Sequence, residues 1–267
     1  MHPMLNIAVR AARAAGKVVM KSVAQGEKLI IEGKGQHDFV THIDKAAESV
    51  IIDTIRKSYP NHSIQAEESG DQQGSDSDYL WVIDPIDGTT NFMRGIPHFC
   101  ISIALVVKGQ VQQAVVFDPV RDELFSASRG AGAQLNGYRI RTGKNKDLDG
   151  TILATGFPFR MKHILPEYQA VFTKFFEQAA DVRRMGSAAL DLAYVAAGRY
   201  DGYWEAGLKP WDLMAGQLLV REAGGMVSDF AGGMNHETSG NIVAASPKVL
   251  QMMVTQMRTL LPASLRK

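Results

Sequence analysis

Asp84 and Asp87 sit within the run Trp81-Val82-Ile83-Asp84-Pro85-Ile86-Asp87-Gly88-Thr89-Thr90-Asn91-Phe92. The apolar stretch from Leu80 to Ile83 reads as a buried strand, and Pro85 disfavours helix at the residue before it, so Asp84 is expected at the strand's exit. Gly88 permits a tight turn. Thr89 or Thr90 is a natural cap for a short helix, whose unpaired N–H groups favour an anion. Carboxylates beside an anion-binding helix end repel a phosphate unless divalent cations lie between them, which points to a metal-dependent phosphate site. Asp-Pro and Asp-Gly are also ordinary turn signals, and these residues alone leave an acidic surface turn equally open.

Other acids have structural readings of their own. Asp44 falls in the first turn of an expected helix, where a carboxylate complements the dipole. Glu67-Glu68 reads as a solvated turn, and Asp212, following Trp211, as an N-cap. The seven histidines show no HExxH or paired spacing, which argues against zinc. Gly130-Ala131-Gly132 lacks the third glycine of a nucleotide loop, and Asn136-Gly137 behind it reads as a hairpin turn.

The central run resembles the signature of the inositol monophosphatase family, and three further segments match in the family's order and spacing. They are Asp38-Phe39-Val40-Thr41 with Asp44, Glu67-Glu68-Ser69, and Lys209-Pro210-Trp211-Asp212 leading to Glu222-Ala223-Gly224-Gly225. The likeness covers nearly the whole chain. Within that family it resembles the bacterial SuhB type, through Thr151 to Phe159 and Ala188 to Arg199. The resemblance implies a layered α-β-α-β-α sandwich of the inositol monophosphatase/fructose-1,6-bisphosphatase superfamily. It also implies an inositol-phosphate phosphatase dependent on two to three Mg²⁺ ions and sensitive to lithium.

Carried over by position, Glu67, Asp84 and the carbonyl of Ile86 hold one ion, and Asp84, Asp87 and Asp212 a second, with a looser third near Glu67. Asp44 and Thr89 orient and deprotonate the attacking water, so Asp44, Thr89 and Glu67 form the catalytic set. The N–H groups of Gly88 and Thr89 hold phosphate oxygens; Gly186, Ser187, Ala188 and Glu205 meet the inositol hydroxyls, with Arg183 assisting. Arg183-Arg184 equally suits an interface. Glu68 is implied behind the metal ligands, and Lys34 near the site, although a solvated lysine fits as well. The four acids supply four negative charges and a phosphate dianion two more, which three divalent ions balance. Met214 departs from the small residue that the family places two after the tryptophan-linked aspartate.

The elements that must position these residues follow from periodicity. An amphipathic helix is expected to about Val23, a short strand at Leu29-Ile30-Ile31, a mobile Gly33-Lys34-Gly35, and a helix from about Ile43 to Tyr59, stopped by Pro60. Ser63 to Ala66 reads as a strand and Asp71 to Asp78 as a loop. Phe99–Val107, Val111–Asp118 and Glu123–Ser128 then form an antiparallel meander. Lys144 to Asp149 is a polar connector, dividing an α+β half at 1–145 from an α/β half at 146–267. In the second half, strands at 151–155, 181–184, 200–204, 227–229 and 242–244 alternate with helices at 168–180, 187–197, 212–223 and 247–261.

Composition bounds the function. With 267 residues, 45% of them hydrophobic, the chain can build a substantial core. Lys plus Arg number 29 against 28 Asp plus Glu, so no global field announces nucleic acid or an anionic membrane. The lone Cys100 forms no internal disulfide and reads as a buried small hydrophobe, which fits a reducing cytoplasm. Arg10, Arg13, Lys17 and Lys21 interrupt the N-terminal apolar pattern, unlike a signal peptide, and no uncharged stretch reaches the roughly 20 residues of a spanning helix. The resemblance adds a homodimer, and a scaffold role with Nus factors and RNA polymerase in ribosomal RNA antitermination that can coexist with catalysis. Other sugar phosphates, 3′-phosphoadenosine-type nucleotides and fructose 1,6-bisphosphate remain alternative substrates.

Overall fold

A computed structural model describes residues 2–26, 28–35 and 38–266; the side chains of Lys34 and Asp38, and with them the expectation for Lys34, lie outside the described residues. Helix α1 (Pro3–Gln25) starts at a proline and ends at Gly26 in the left-handed region. Strands β1 (Ile31–Gly35) and β2 (Asp38–Thr41) form an antiparallel hairpin, so the strand expected at 29–31 lies later and takes in Gly33 to Gly35. Thr41 caps α2 (His42–Arg56): its hydroxyl oxygen accepts the N–H of Ile43, and Asp44 Oδ2 accepts that of Thr41 at 2.9 Å.

The first large sheet comprises β3 (His62–Ala66), β4 (Gly70–Gln72), β5 (Asp76–Asp87), β6 (Cys100–Val107), β7 (Gln110–Asp118), β8 (Glu123–Ser128), β9 (Gly132–Leu135) and β10 (Tyr138–Arg139), with α3 (Thr89–Met93) between β5 and β6. The strand order is β10-β9-β8-β7-β6-β5-β3-β4, and all pairs are antiparallel except β3 with β5. The expected meander is present. The loop expected at 71–78 instead contributes edge strand β4 and the start of β5.

The second sheet has the order β12-β11-β13-β15-β14, from β11 (Ile152–Thr155), β12 (Asp181–Arg183), β13 (Gly202–Glu205), β14 (Met226–Ser228) and β15 (Ile242–Ala245). Its helices are α4 (Leu165–Phe176), α5 (Ala188–Ala196), α6 (Pro210–Glu222), the one-turn α7 (His236–Ser239), α8 (Pro247–Leu260) and the short α9 (Ala263–Arg266). Pro166 in the first turn starts α4 earlier than the apolar pattern suggested. The sheet is mixed: β11 runs parallel to β12 and β13, while β15 is antiparallel to both neighbours.

Five layers result, α1/α2, the eight-stranded sheet, α5/α6, the five-stranded sheet, and α4/α8, with an apolar core in each of the outer gaps and one around the middle helices. Every residue of α5 is buried, because a helix between two sheets has no solvent face. In the outer core Phe175 packs edge-on against Trp204, both fully buried. Burying such a phenylalanine contributes roughly 1.5–3 kcal/mol. No helix among the described residues is long and apolar enough to cross a membrane.

Candidate active site

Strand β5 does not end at Asp84. It pairs with β6 through Asp84 opposite Ser102 and resumes with Asp87 opposite Cys100, the irregularity falling between them. Pro85, which lacks an N–H, occupies that break, and the one extra residue on β5 brings both carboxylates to one side. Gly88 then turns at φ 100°, and a Cβ there would lie 3.1 Å from the His98 carbonyl and 3.2 Å from that of Gly186. Only glycine fits both the conformation and the close approach.

Thr89 is therefore the first residue of α3, not a side-chain cap as the sequence suggested. Its hydroxyl lies 3.0 Å from the Ile86 carbonyl and 3.2 Å from Asp44 Oδ1, and its single proton serves one of them at a time. Asp44 Oδ2 accepts from Thr41 Oγ1 at 2.5 Å, so α2 and α3 meet through one buried carboxylate. Burial raises the Asp44 pKa, while the Thr41 donors pull it back.

Ligand atoms of Asp84, Asp87 and Asp212 lie within 4.8 Å of one another, and Glu67 lines the same cleft. Asp212 is the third residue of α6, its Oδ2 accepting the Lys209 N–H at 2.7 Å, so the expected N-cap position belongs to Lys209. Met214 packs partly buried against the middle core and does not displace Asp212 from the cluster. Burial, then the neighbouring Glu67, Asp87 and Asp212 charges, push the Asp84 pKa well up. Burial foremost raises Asp212 likewise, and it moves Asp87 to about 6 despite the hydrogen bonds that Asp87 accepts. Such a set of closely packed oxygen donors, whose like charges repel one another, suits hard divalent cations.

Support comes from residues to which the sequence assigned no part in the site. Buried Glu48 on α2 accepts the N–H groups of Glu68 and Ser69 at 2.8 and 2.9 Å, fixing the loop behind Glu67, whereas Glu68 itself does not line the cleft. The Asn91 amide donates to the carbonyls of His98 and Met185, tying α3 to the loop before α5. Cys100, fully buried, faces Asp87 and Ser187, and burial raises its thiol pKa well up.

The cleft, about 360 Å³, is also lined by Ile86, Gly88, Thr89, Gly186, Ala188 and Glu205. Two expected contacts lie elsewhere. Arg183 is on β12, pairs with Asp181 and is absent from the lining; Arg184, one residue on, is in it. Arg184 lies just past the end of β12, and sequence alone could not say which of the two arginines turned inward. Ser187 is buried behind the wall and donates to Asp87 Oδ2 at 2.7 Å, so its hydroxyl supports a carboxylate. Gly156, Phe159 and Arg160 from the β11–α4 loop also line the cleft; the first two lie in a stretch that carries the resemblance, but the sequence assigned none of the three to the site.

A model of the inositol monophosphatase family matches residues 1–261. The chain is 60% identical over 267 residues, all of both chains, to a protein of Escherichia coli (strain K12) named Nus factor SuhB. Among solved structures, the extragenic suppressor protein suhB of Bartonella henselae superposes with a TM-score of 0.94 at 38% identity, covering 97% of this chain and 100% of that one. An inositol monophosphatase from Anabaena (Nostoc) sp. PCC 7120 gives 0.86 at 39% identity, covering 98% and 97%.

Proposed function

Because the chain belongs to the inositol monophosphatase family, we propose that it is a Mg²⁺-dependent phosphatase that hydrolyses inositol monophosphate to inositol and inorganic phosphate. The observation that carries this reading is the gathering of Glu67, Asp84, Asp87 and Asp212 beside the Gly88–Thr89 turn, in a cleft that Glu205 also lines. Those four carboxylates and the Ile86 carbonyl are the groups that would hold two to three Mg²⁺ ions, and no His or Cys lines the cleft among the described residues, which fits that cation. When bound, Mg²⁺ supplies the Lewis acidity that lowers the pKa of the attacking water and stabilises the leaving alkoxide.

The chain's own residues do the rest. Thr89 accepts a proton from the water as its hydroxyl proton passes to Asp44 Oδ1, 3.2 Å away. The N–H groups of Gly88 and Thr89, at a helix start with no intrahelical acceptor, receive phosphate oxygens. Glu205 and the backbone of Gly186 and Ala188 meet the ring hydroxyls, with Arg184 in the part first given to Arg183. The test is phosphate release from inositol 1-phosphate, screened beside other sugar phosphates and nucleotide phosphates. Turnover should require Mg²⁺, be inhibited by lithium and be lost in Asp87→Asn; an Asp87→Asn protein with undiminished turnover refutes the assignment.

The relatives' name, Nus factor SuhB, supports a second role alongside the first, with the transcription machinery; we propose with it a homodimer in the cytoplasm that binds Nus factors and RNA polymerase in ribosomal RNA antitermination. Asp87→Asn separates the two, because it removes a cleft carboxylate that is buried and out of reach of a protein partner. Capture of RNA polymerase and Nus factors should survive in this variant; its loss from a folded Asp87→Asn protein rules out independent roles.

A further inference from the structure

Glu205 closes β13, and Tyr203, two residues earlier, points to the same side of the strand. Tyr203 is fully buried, and its hydroxyl donates to Glu205 Oε2. Across the carboxylate stands Gly156, where a Cβ would lie 2.0–2.1 Å from Glu205 Cδ, Oε1 and Oε2, so the carboxylate occupies a slot that any side chain would fill. The slot is held from outside: Tyr168 donates to the Gly156 carbonyl at 2.6 Å, and Thr155 Oγ1 lies 2.7 Å from the Tyr168 hydroxyl and 2.9 Å from the Trp204 carbonyl. Behind it lies Asp191, buried, with Oδ1 lacking any hydrogen-bond partner among the described residues. Burial raises the pKa of the Asp191 carboxyl above its ordinary range, and the nearby Glu205 and Asp87 add to the effect.

We infer that Tyr203 is a positioning residue that fixes the Glu205 carboxylate in the Gly156 slot, and thereby sets the preference for a polyhydroxylated phosphomonoester over one without ring hydroxyls. The inference rests on the reading of Glu205 as the contact for the sugar. A carboxylate seated by a buried donor keeps its remaining lone pairs in a fixed direction, so substrate hydroxyls bind without first ordering it. Without that donor, one Glu205 oxygen would be left unsatisfied, and the side chain would turn away or take up a proton.

The experiment is a double-mutant cycle with Tyr203→Phe, Glu205→Gln and the pair, reading kcat and KM for inositol 1-phosphate and p-nitrophenyl phosphate at saturating Mg²⁺. In Tyr203→Phe the KM for inositol 1-phosphate should rise roughly tenfold, with kcat within about twofold, lowering the kcat/KM ratio of the two substrates. In the Glu205→Gln background the same substitution should change that ratio by less than about twofold. A ratio that Glu205→Gln lowers but Tyr203→Phe leaves alone overturns the inference while the sugar reading stands. Equal losses in both backgrounds also overturn it, since Tyr203 would then act independently of Glu205. A ratio indifferent to Glu205→Gln removes the sugar reading itself, and the inference with it.

Discussion

The hydroxyl of Ser187 donates to Oδ2 of Asp87 at 2.7 Å, across 100 residues of chain. The Ala189 N–H, in the first turn of α5, donates to the same oxygen at 2.7 Å. A carboxylate of the eight-stranded sheet is thus aimed by a helix that packs on both sheets, so the acidic cluster forms only when both halves are folded together.

Ser187→Ala should therefore weaken the cluster without emptying it, since the Ala189 N–H remains. Loss of a buried donor to a metal-binding carboxylate costs on the order of tenfold in cation affinity. A titration of turnover against Mg²⁺ should show the half-saturating concentration rising by about that factor, with kcat at saturating Mg²⁺ changing far less.

The Thr89–Asp44 contact predicts a different pattern. Thr89→Ala leaves the carboxylate cluster untouched and should lower kcat by roughly 10²–10⁴-fold while Mg²⁺ half-saturation stays within about threefold. Asp44→Asn should lower kcat by a similar amount, and its thermal melt should fall as well, because Asp44 also accepts from Thr41 at the start of α2.

Without cations, stability should decline as pH rises. Asp87, at about 6, binds its proton more tightly when folded than when unfolded, where the ordinary carboxylate value is 3.8. Asp84 and Asp212 are raised in the same direction. Their contribution is fully present below the unfolded value and is lost as pH climbs through the folded one. Thermal melts in EDTA should fall between pH 5 and pH 8, and the increase in Tm on adding Mg²⁺ should be larger at pH 8. An equal Mg²⁺ effect at both values would contradict the crowding of these carboxylates.

Helix packing behind Asp212 is tight. A Cβ at Gly216 on α6 would lie 2.5 Å from Leu192 Cβ and Cδ1 on α5. Gly216→Ala gains helix propensity of about 1 kcal/mol, but forcing the helices apart costs about 1–3 kcal/mol. A Tm lower by a few degrees is expected, together with a higher half-saturating Mg²⁺ concentration for turnover, since α6 carries Asp212.

Much of this molecule was legible in one dimension because its chemistry lies in short runs with local causes. The meander follows from apolar runs and turn residues that act on their neighbours, and Asn136 and Gly137 do adopt the positive φ of a hairpin turn. The acids stood out because the segments bearing them resemble a family's motifs. The fold decided what depends on direction: that β5 carries on through Pro85, that Ser187 turns inward to Asp87, and that Arg184 faces the cleft while Arg183 pairs with Asp181. Sequence determined which carboxylates were available. Only the tertiary structure brought them within 4.8 Å, because residues from β5 and α6 approach through packing of distant layers, which no local propensity encodes.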